Sequence, residues 1–229
     1  MSNKEYADLR REYGEVMRKR ATGDLPEMAQ VTQFLKLFSE SYQSGTNVLD
    51  VGCGAGHFLR ALRKLDPDIV HQGVDAESHY IRIAKSVWKE YSNAAFQVGG
   101  TGTLKELPHG SFESFISYMV LPFMYDYKDA LRTYLSLTRR HGFLRLMLAD
   151  HTYITKRYKW DKKIVYYNIY NQEEFIDFCR SNGVRDVTIM DDDFKLEMPY
   201  SNSWDTYTYG DLQLSGNIVL PWKVVHLKK

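Results

Sequence analysis

The spacing of hydrophobic and polar residues predicts short strands that alternate with helices over most of the chain. Short apolar runs typical of buried strands occupy residues 47–51, 69–74, 95–98, 115–120 and 143–148, and apolar residues at helical spacing predict helices over 57–65, 78–90 and 128–139. Strands that alternate with helices in this way imply an α/β fold in which a parallel sheet is covered on both faces.

The two ends of the chain depart from this alternation. Residues 4–41 are charged and have helical periodicity, which predicts two helices ahead of the sheet. After position 150 the pattern predicts a helix over 172–181, a strand over 184–190 and a last strand over 217–227. We expect these two strands to pair antiparallel. No Pro/Gly/Ser-rich linker marks a second domain, so a single domain over 1–229 is predicted.

Charge and cysteine content narrow the possible partners and location. The 229 residues carry 30 Lys+Arg and 29 Asp+Glu, a net charge of +1 that argues against a nucleic-acid partner. Cys53 and Cys179 lack disulfide-framework or metal-ligand spacing, so no metal is predicted and a cytoplasmic location is expected. No apolar stretch approaches the roughly 20 residues that span a bilayer, so no membrane partner is expected.

A glycine-rich loop follows the first predicted strand and reads Asp50-Val51-Gly52-Cys53-Gly54-Ala55-Gly56. Glycines let the backbone approach a ligand closely, and the start of the next helix offers free N–H groups. Asp75 ends the second predicted strand, 75 − 56 = 19 residues after the last glycine. A carboxylate at that place can accept both hydroxyls of a ribose. The loop and the acid therefore predict a nucleoside cofactor, the plainer alternative being a tight turn and a helix cap.

The glycine spacing separates two cofactor classes. Dinucleotides need G-x-G-x-x-G, whereas the third glycine comes one residue early here, at Gly56, and His57 occupies the expected position. The pattern Asp-x-Gly-x-Gly-x-Gly instead resembles motif I of the class I S-adenosylmethionine-dependent methyltransferases. Residues 107–113 resemble the "LPxxxGSFD" segment of that family, and Val120-Leu121 and 141–150 resemble its fourth-strand exit and fifth strand.

The resemblance covers roughly 47–150 and implies a fold and a domain plan. It implies a Rossmann-like, doubly wound, mostly parallel seven-stranded sheet of order 3-2-1-4-5-7-6 with the last strand antiparallel. The N-terminal helices of 1–45 would form a lid, 46–150 the cofactor-binding core, and 151–229 a substrate-side insertion with a C-terminal hairpin. The implied cofactor is S-adenosylmethionine, which leaves as S-adenosylhomocysteine (SAH).

The same resemblance assigns cofactor contacts to residues of this chain. Asp50 would lie under the methionine end, Asp75 would hold the ribose diol, and Ala76 would lie against adenine. Ser117 and Tyr118 would flank the reactive methyl. The full set of expected cofactor residues is Asp50, Gly52, Cys53, Gly54, Gly56, Asp75, Ala76, Thr103, Leu104, Ser117 and Tyr118.

One part of the family pattern is missing. The family usually places an Asp after the third strand to accept from the adenine amino group, but residues 98–104 read Val-Gly-Gly-Thr-Gly-Thr-Leu. Hydroxyls of Thr101 or Thr103, or backbone carbonyls, are the expected substitutes. The absent acid also leaves open a protein that binds through this fold without turnover.

Fewer sequence signals identify the residues that would bind the methyl acceptor and act on it. Asp150 and His151, after the fifth predicted strand, are the candidate catalytic pair because a histidine titrates near neutrality, the alternative being a solvated loop. Candidate substrate-binding residues are Tyr13 and Arg18 of the N-terminal helices and Tyr153 and Arg157 of an aromatic-basic stretch. That stretch is equally well explained as a solvated insertion over the sheet edge.

We expect the acceptor to be an oxygen or nitrogen of a small molecule. Residues 207–222 resemble the tails of bacterial methyltransferases of cell-envelope sugar pathways, which points to a sugar or nucleotide-linked sugar. Methylation of RNA or DNA is the alternative within enzymes, but Leu121-Pro122-Phe123 lacks the "[DN]PP[YF]" pattern that amine methylation of nucleic acids uses. The oligomeric state does not follow from the sequence.

Overall fold

The computed structural model describes residues 3–158, 164–192, 206–209, 212–215 and 221–229. Within these residues the helices are α1 (Asn3–Thr22), α2 (Ala29–Ser41), α3 (His57–Leu65), α4 (Ser78–Val87), α5 (Thr101–Leu104), α6 (Lys128–Leu137) and α7 (Gln172–Ser181). The strands are β1 (Asn47–Val51), β2 (Val70–Asp75), β3 (Ala94–Val98), β4 (Phe112–Tyr118), β5 (Thr138–Ala149), β6 (Lys156–Tyr158), β7 (Ile164–Tyr166), β8 (Tyr170–Asn171), β9 (Asp186–Asp191), β10 (Thr206–Tyr209), β11 (Leu212–Ser215) and β12 (Trp222–Lys228).

The main sheet has the order β3-β2-β1-β4-β5-β12-β9. Neighbours from β3 to β5 are parallel, and β12 runs antiparallel to both β5 and β9. Counted along these seven strands, the order is 3-2-1-4-5-7-6 with the last strand antiparallel, so the predicted fold is confirmed. The two-residue strand β8 adds a parallel pairing at the carboxyl end of β5.

Helices cover both faces of the sheet, as a doubly wound fold requires. On one face Phe34 of α2, Phe58 of α3 and Trp88 beside α4 belong to one buried cluster. On the other face Tyr134 of α6 and Phe175 of α7 belong to a second cluster. Because β1 is buried on both sides, its inner positions are the apolar residues Val48, Leu49 and Val51, with Asp50 as a buried charge among them. Because β1 to β5 are parallel, their carboxyl ends lie at one edge of the sheet, and the loops that follow them can build a site there.

The N-terminal helices lie on the face of the sheet that carries α3 and α4. Helix α1 packs against α3 and α4, and α2 packs against α3. In the part of the chain that the structure describes, no helix combines the length and the apolar character that crossing a membrane requires.

Several element boundaries differ from the sequence expectation, and the change between α6 and β5 has a clear physical reason. The helix predicted over 128–139 ends at Leu137, and β5 begins directly afterwards. The reason is sheet pairing: Thr138 lies opposite Phe112 of β4, and His141 lies opposite Lys228 of β12. Helix α5 and the hairpins β6–β7 and β10–β11 were not predicted. Positions 217–220 of the predicted last strand, and 210–211 and 216–220 of the tail resemblance, lie outside the described residues.

Candidate active site

A cavity of about 530 Å³ lies at the carboxyl ends of β1, β2, β3 and β4. Its volume is in the range of pockets that enclose small organic ligands. The wall is formed by the loops after these four strands, by α1 and the connection to α2, and by single residues of β5 and α6. The cavity therefore lies where ligands bind in parallel α/β sheets.

The glycine loop forms one side of this cavity. Gly52 and Gly54 line it and have φ of +77° and +54°, values that only glycine adopts readily. The Gly52 N–H donates to the Val74 carbonyl at 2.7 Å, which joins the loop to the end of β2. A Cβ built on Gly54 would have only the Met17 Sδ within reach, at 4.0 Å. The backbone of Gly54 thus borders open space between the loop and α1.

Three predicted loop residues lie behind the wall rather than in it. A Cβ on Gly56 would be 2.6 Å from the Trp88 Nε1, so this glycine permits close packing beside α4. Cys53 is fully buried with its sulfur against Gly73, and burial raises the pKa of its thiol well above the usual value. The Asp50 carboxylate is buried 3.2 Å from the His71 Nε2. Their cofactor roles stay predictions.

Asp75 connects the glycine loop to the end of β2 and faces the cavity. Its Oδ2 accepts from the Gly54 N–H at 2.9 Å, and its Oδ1 accepts from the Glu77 N–H at 2.8 Å. Burial raises the pKa of Asp75, and the two N–H groups oppose that rise. Each carboxylate oxygen keeps acceptor capacity for a further donor. Ala76, which follows, also lines the cavity.

The segment after β3 lies beside Asp75. The Gly99 N–H donates to the Asp75 carbonyl at 3.0 Å, and Gly99, Gly100 and Thr101 line the cavity. The predicted contacts Thr103 and Leu104 belong to α5 and are not among the residues of the wall: the Thr103 side chain packs over Gly99, and Leu104 is fully buried.

The end of β4 turns sharply at the floor of the cavity. Met119 has φ of +60°, a left-handed conformation that is strained for a side chain of this size and is often found at functional sites. Tyr118 lines the cavity, and its buried hydroxyl has no hydrogen-bond partner among the described residues. The Ser117 hydroxyl is likewise buried and unpartnered there, but Ser117 is not part of the wall.

A buried arginine of β5 completes the floor beside Tyr118. The Arg145 Nε donates to the Asp192 Oδ2 at 2.8 Å, and its guanidinium lies 4.0 Å from the centre of the Trp222 ring. Sequence reasoning missed Arg145 as a site residue. The available signal was its position inside the otherwise apolar run 143–148, because a charge there requires a buried partner.

Helix α1 contributes Tyr13, Met17 and Arg20 to the cavity wall. Tyr13 lines the cavity, and the centre of its ring lies 6.4 Å from that of Tyr80, while its role in substrate binding stays a prediction. Arg18 instead faces away and binds the Glu15 carboxylate at 2.7 Å. Arg20 lines the cavity and has no ion pair among the described residues. Positions 13, 17 and 20 lie on one face of the helix, and this spacing is the sequence signal that could have identified Arg20 as a site residue.

His57 begins α3 and faces the same cavity. Both of its ring nitrogens are buried and lack a hydrogen-bond partner among the described residues. Burial lowers the pKa of His57 to about 4, with nearby Asp50 opposing the change and Arg20 adding to it. The imidazole is therefore neutral at physiological pH, with one ring nitrogen as a donor and the other as an acceptor.

Buried neutral histidines should make the fold sensitive to mild acid. Burial lowers the pKa of His57 and of His226 to about 4, against 6.5 in the unfolded chain. The unfolded state then binds more protons below pH 6.5, so stability is full above that pH and falls as the pH falls. We expect each of these two histidines to lower the free energy of unfolding by about 2 kcal/mol when the pH falls from 7.5 to 5. Urea titrations at both pH values measure this.

The matched variants assign the acid effect to particular side chains. His226→Gln should flatten the pH dependence by roughly half, because one buried imidazole is removed. His109→Gln, at an exposed position, should leave the dependence as it is. Equal urea midpoints for the wild type at pH 7.5 and pH 5 would refute the assignment.

The predicted acceptor residues after β5 lie outside the cavity wall. Asp150 and His151 are exposed, and Tyr153 is 53% exposed. The Asp150 carbonyl accepts from the Asn171 side chain, which also caps α7. Arg157 belongs to β6, and its side chain lies outside the described residues. The catalytic and substrate roles of these four residues stay predictions.

Comparison with protein families gives one match that covers most of the chain. The profile described as "Methyltransferase domain" matches residues 42–206, which includes the glycine loop, Asp75 and β4. No curated protein gives a significant match to the sequence.

Solved structures with this fold include proteins that bind SAH. A chain of the complex between the activator Trm112 and a methyltransferase of Haloferax volcanii is 15% identical, with a TM-score of 0.62 and coverage of 93% of this chain and 94% of that one. The N-terminal domain of EvdMO1, with SAH and D-fucose, is 13% identical (TM-score 0.60; 89% and 84% covered). Magnesium protoporphyrin IX methyltransferase of Synechocystis PCC 6803, with SAH, is 14% identical (TM-score 0.55; 87% and 81% covered). At these identities the likeness shows the fold.

Proposed function

The chain belongs to the methyltransferase domain family and shares its fold with structures that hold S-adenosylmethionine or SAH, and we propose that it methylates an oxygen or nitrogen of a small molecule. One observation carries the proposal: a single cavity joins the glycine loop and Asp75 to an apolar pocket between β4 and α1. Such a cavity can hold a methyl donor and an acceptor side by side, and positioning two reactants supplies much of the catalysis of a displacement.

The cavity wall fits the nucleoside end of the cofactor. Asp75 keeps acceptor capacity on both carboxylate oxygens and would hold the ribose hydroxyls. Gly54 presents backbone without a Cβ, so a ligand can lie directly against the loop. Ala76 follows Asp75 in the wall, at the place where the purine would begin.

The amino-acid end of the cofactor would meet a cation and a neutral imidazole. Arg20 lines the cavity without a carboxylate partner among the described residues, and His57, on which its charge acts, has two unpartnered nitrogens there. A guanidinium forms strong charge-assisted hydrogen bonds with a carboxylate. We assign Arg20 and His57 to the carboxylate of the cofactor's methionine end. The buried Asp50, which acts electrostatically on His57, would lie under the same end.

Arg20→Gln is expected to weaken SAH binding by about tenfold, because it removes a charge-assisted hydrogen bond. Calorimetric titration with SAH measures the change. Arg18→Gln is the matched control: it lies on the same helix, but its guanidinium is bound to Glu15, so the affinity should stay level. Equal losses in both variants would show that α1, and not the Arg20 charge, determines binding.

When bound, the cofactor supplies a methyl group on a sulfonium, which a lone pair attacks in line with the departing sulfur. The protein's part is to orient the acceptor and to exclude water. Tyr118, Met119, Phe123 and Met124 form the wall where the acceptor would lie, and their apolar surfaces keep water out. Asp150 and His151, on the exposed segment after β5, remain the proposed base for an acceptor whose proton must leave.

A sugar or nucleotide-linked sugar is the first acceptor class. The tail resemblance over 207–222 supports it, and so does the structural likeness to EvdMO1, whose N-terminal domain was solved with D-fucose. Tyr153 and Arg157 would then contact the acceptor from the segment after β5. A second class is favoured by a specific observation: the wall of Met119, Phe123 and Met124 suits the flat apolar face of a phenol.

The test is a screen for SAH formation from S-adenosylmethionine with nucleotide-linked sugars, phenols and amines, read by mass spectrometry. One acceptor class should give SAH and a product heavier by one methylene unit. Activity that is lost in Gly54→Val locates the reaction in this cavity. Cofactor binding without turnover of any acceptor would instead favour a binding protein.

A further inference from the structure

Tyr134 belongs to the cavity wall and has a buried hydroxyl that makes no well-formed hydrogen bond among the described residues, although the Thr101 side chain lies close to it. The residue is 0% exposed and lines the cavity from α6. Tyr170 shows the contrast, because its hydroxyl donates to the carbonyls of Leu121 at 2.8 Å and Met124 at 2.7 Å. A buried hydroxyl left unpaired costs folding free energy, so its position against a cavity indicates a ligand.

The position of Tyr134 relates it to one part of the cofactor. Burial raises the pKa of Tyr134 to about 12, and the nearby Thr101 hydroxyl opposes the rise, which places Tyr134 beside the segment after β3. That segment adjoins Asp75, because the Gly99 N–H donates to the Asp75 carbonyl at 3.0 Å. A purine joined to a ribose at Asp75 would therefore lie against Gly99, Gly100 and Thr101.

This is the place where the chain lacks a carboxylate. Residues 98–104 contain no acid, so nothing on the segment itself accepts strongly from an exocyclic amino group. Thr103 is not available, since its side chain packs over Gly99. The phenol of Tyr134 reaches the cavity wall from α6 instead. Its hydroxyl can both accept from an N–H and donate to a ring nitrogen.

We infer that the Tyr134 hydroxyl binds the amino edge of the cofactor's adenine, in the place of the missing acid. The inference rests on the proposed function, since it requires the cofactor to lie with its ribose at Asp75. It makes purine recognition a neutral interaction that does not depend on a carboxylate. It also explains why α6 carries a tyrosine, and not a phenylalanine, at a fully buried position.

The experiment compares two ligands and two variants by calorimetry. The ligands are SAH and its analogue that lacks the 6-amino group of the purine. Tyr134→Phe should bind SAH about tenfold more weakly than the wild type and should lose most of the wild-type preference for SAH over the analogue. Tyr127→Phe is the matched control, because its hydroxyl is also buried and unpartnered but is not in the cavity wall.

Thermal unfolding provides a second readout that a merely structural role would not produce. Tyr134→Phe removes a buried hydroxyl that makes no well-formed hydrogen bond within the described part of the chain and keeps the ring packed on Phe115, at 5.7 Å between centroids, so the unliganded protein should be about as stable as the wild type. The rise in Tm on adding SAH should nevertheless be smaller, because the bound state loses a contact.

The outcomes separate the inference from the proposed function. Wild-type affinity and wild-type ligand preference in Tyr134→Phe would overturn the inference while SAH binding itself stands. Loss of the preference in Thr101→Val, with Tyr134→Phe unchanged, would assign the amino edge to Thr101 and overturn it as well. A wild-type protein that binds neither ligand would overturn both.

Discussion

Gly54→Val is expected to abolish measurable SAH binding while the fold is retained. Gly54 lines the cavity, and a Cβ at this position has only the Met17 Sδ within reach, at 4.0 Å. The valine methyl groups would therefore occupy the space in which we propose that the cofactor lies against the loop. We expect the affinity to fall by at least about 100-fold, because the clash is with the ligand and relief would need movement of the loop. Calorimetry measures the affinity, and circular dichroism checks the fold.

Gly45→Val separates the clash from backbone strain. Gly45 also has a positive φ, +83°, and a Cβ there meets nothing within 4 Å, so a valine is strained in both positions. Gly45→Val should lose stability but keep SAH affinity. If Gly54→Val bound SAH as the wild type does, the loop would not border the ligand.

Asp75→Ala should have the second-largest effect, a loss of about 1.5 to 3 kcal/mol of SAH binding free energy. The change removes the proposed acceptor for the ribose hydroxyls and also releases the N–H groups of Gly54 and Glu77, so the loop loses one of its connections to β2. The dissociation constant from calorimetry tests the prediction.

Asp75→Asn divides this loss between its two causes. An amide keeps the size of the side chain and one acceptor oxygen, so it should lose less affinity than alanine does. Asp129→Ala, which removes an exposed carboxylate of α6 away from the wall, is the control and should bind normally. An SAH affinity in Asp75→Ala equal to that of the wild type would exclude Asp75 from the ribose site.

The parts of the fold that the sequence predicted are those governed by local pattern. Strand β1, the glycine turn and α3 have the predicted bounds, because a buried strand, a turn with positive φ and an amphipathic helix each have a direct sequence signal. The start of β5 was placed too late, because Thr138 is held in the sheet by pairing with Phe112 and not by its own apolar character. Pairing between distant strands has no local signal.

The site residues also divide into those with a local sequence signal and those without one. Gly52, Gly54, Asp75 and Ala76 were predicted to be at the cavity and line it, since the motif fixes their spacing along one loop and one strand end. Arg20, Arg145 and Tyr134 were missed, because the side that each presents depends on how α1, β5 and α6 pack. Arg18 shows the limit of charge as a signal: two residues before Arg20, it is bound to Glu15 outside the cavity.

The most direct test of the central claim is a crystal structure of the protein grown with SAH. The account predicts the nucleoside in the cavity between the glycine loop and the segment after β3, with both ribose hydroxyls within hydrogen-bond distance of the Asp75 carboxylate. A structure with SAH bound elsewhere, or in this cavity with its ribose remote from Asp75, would contradict it.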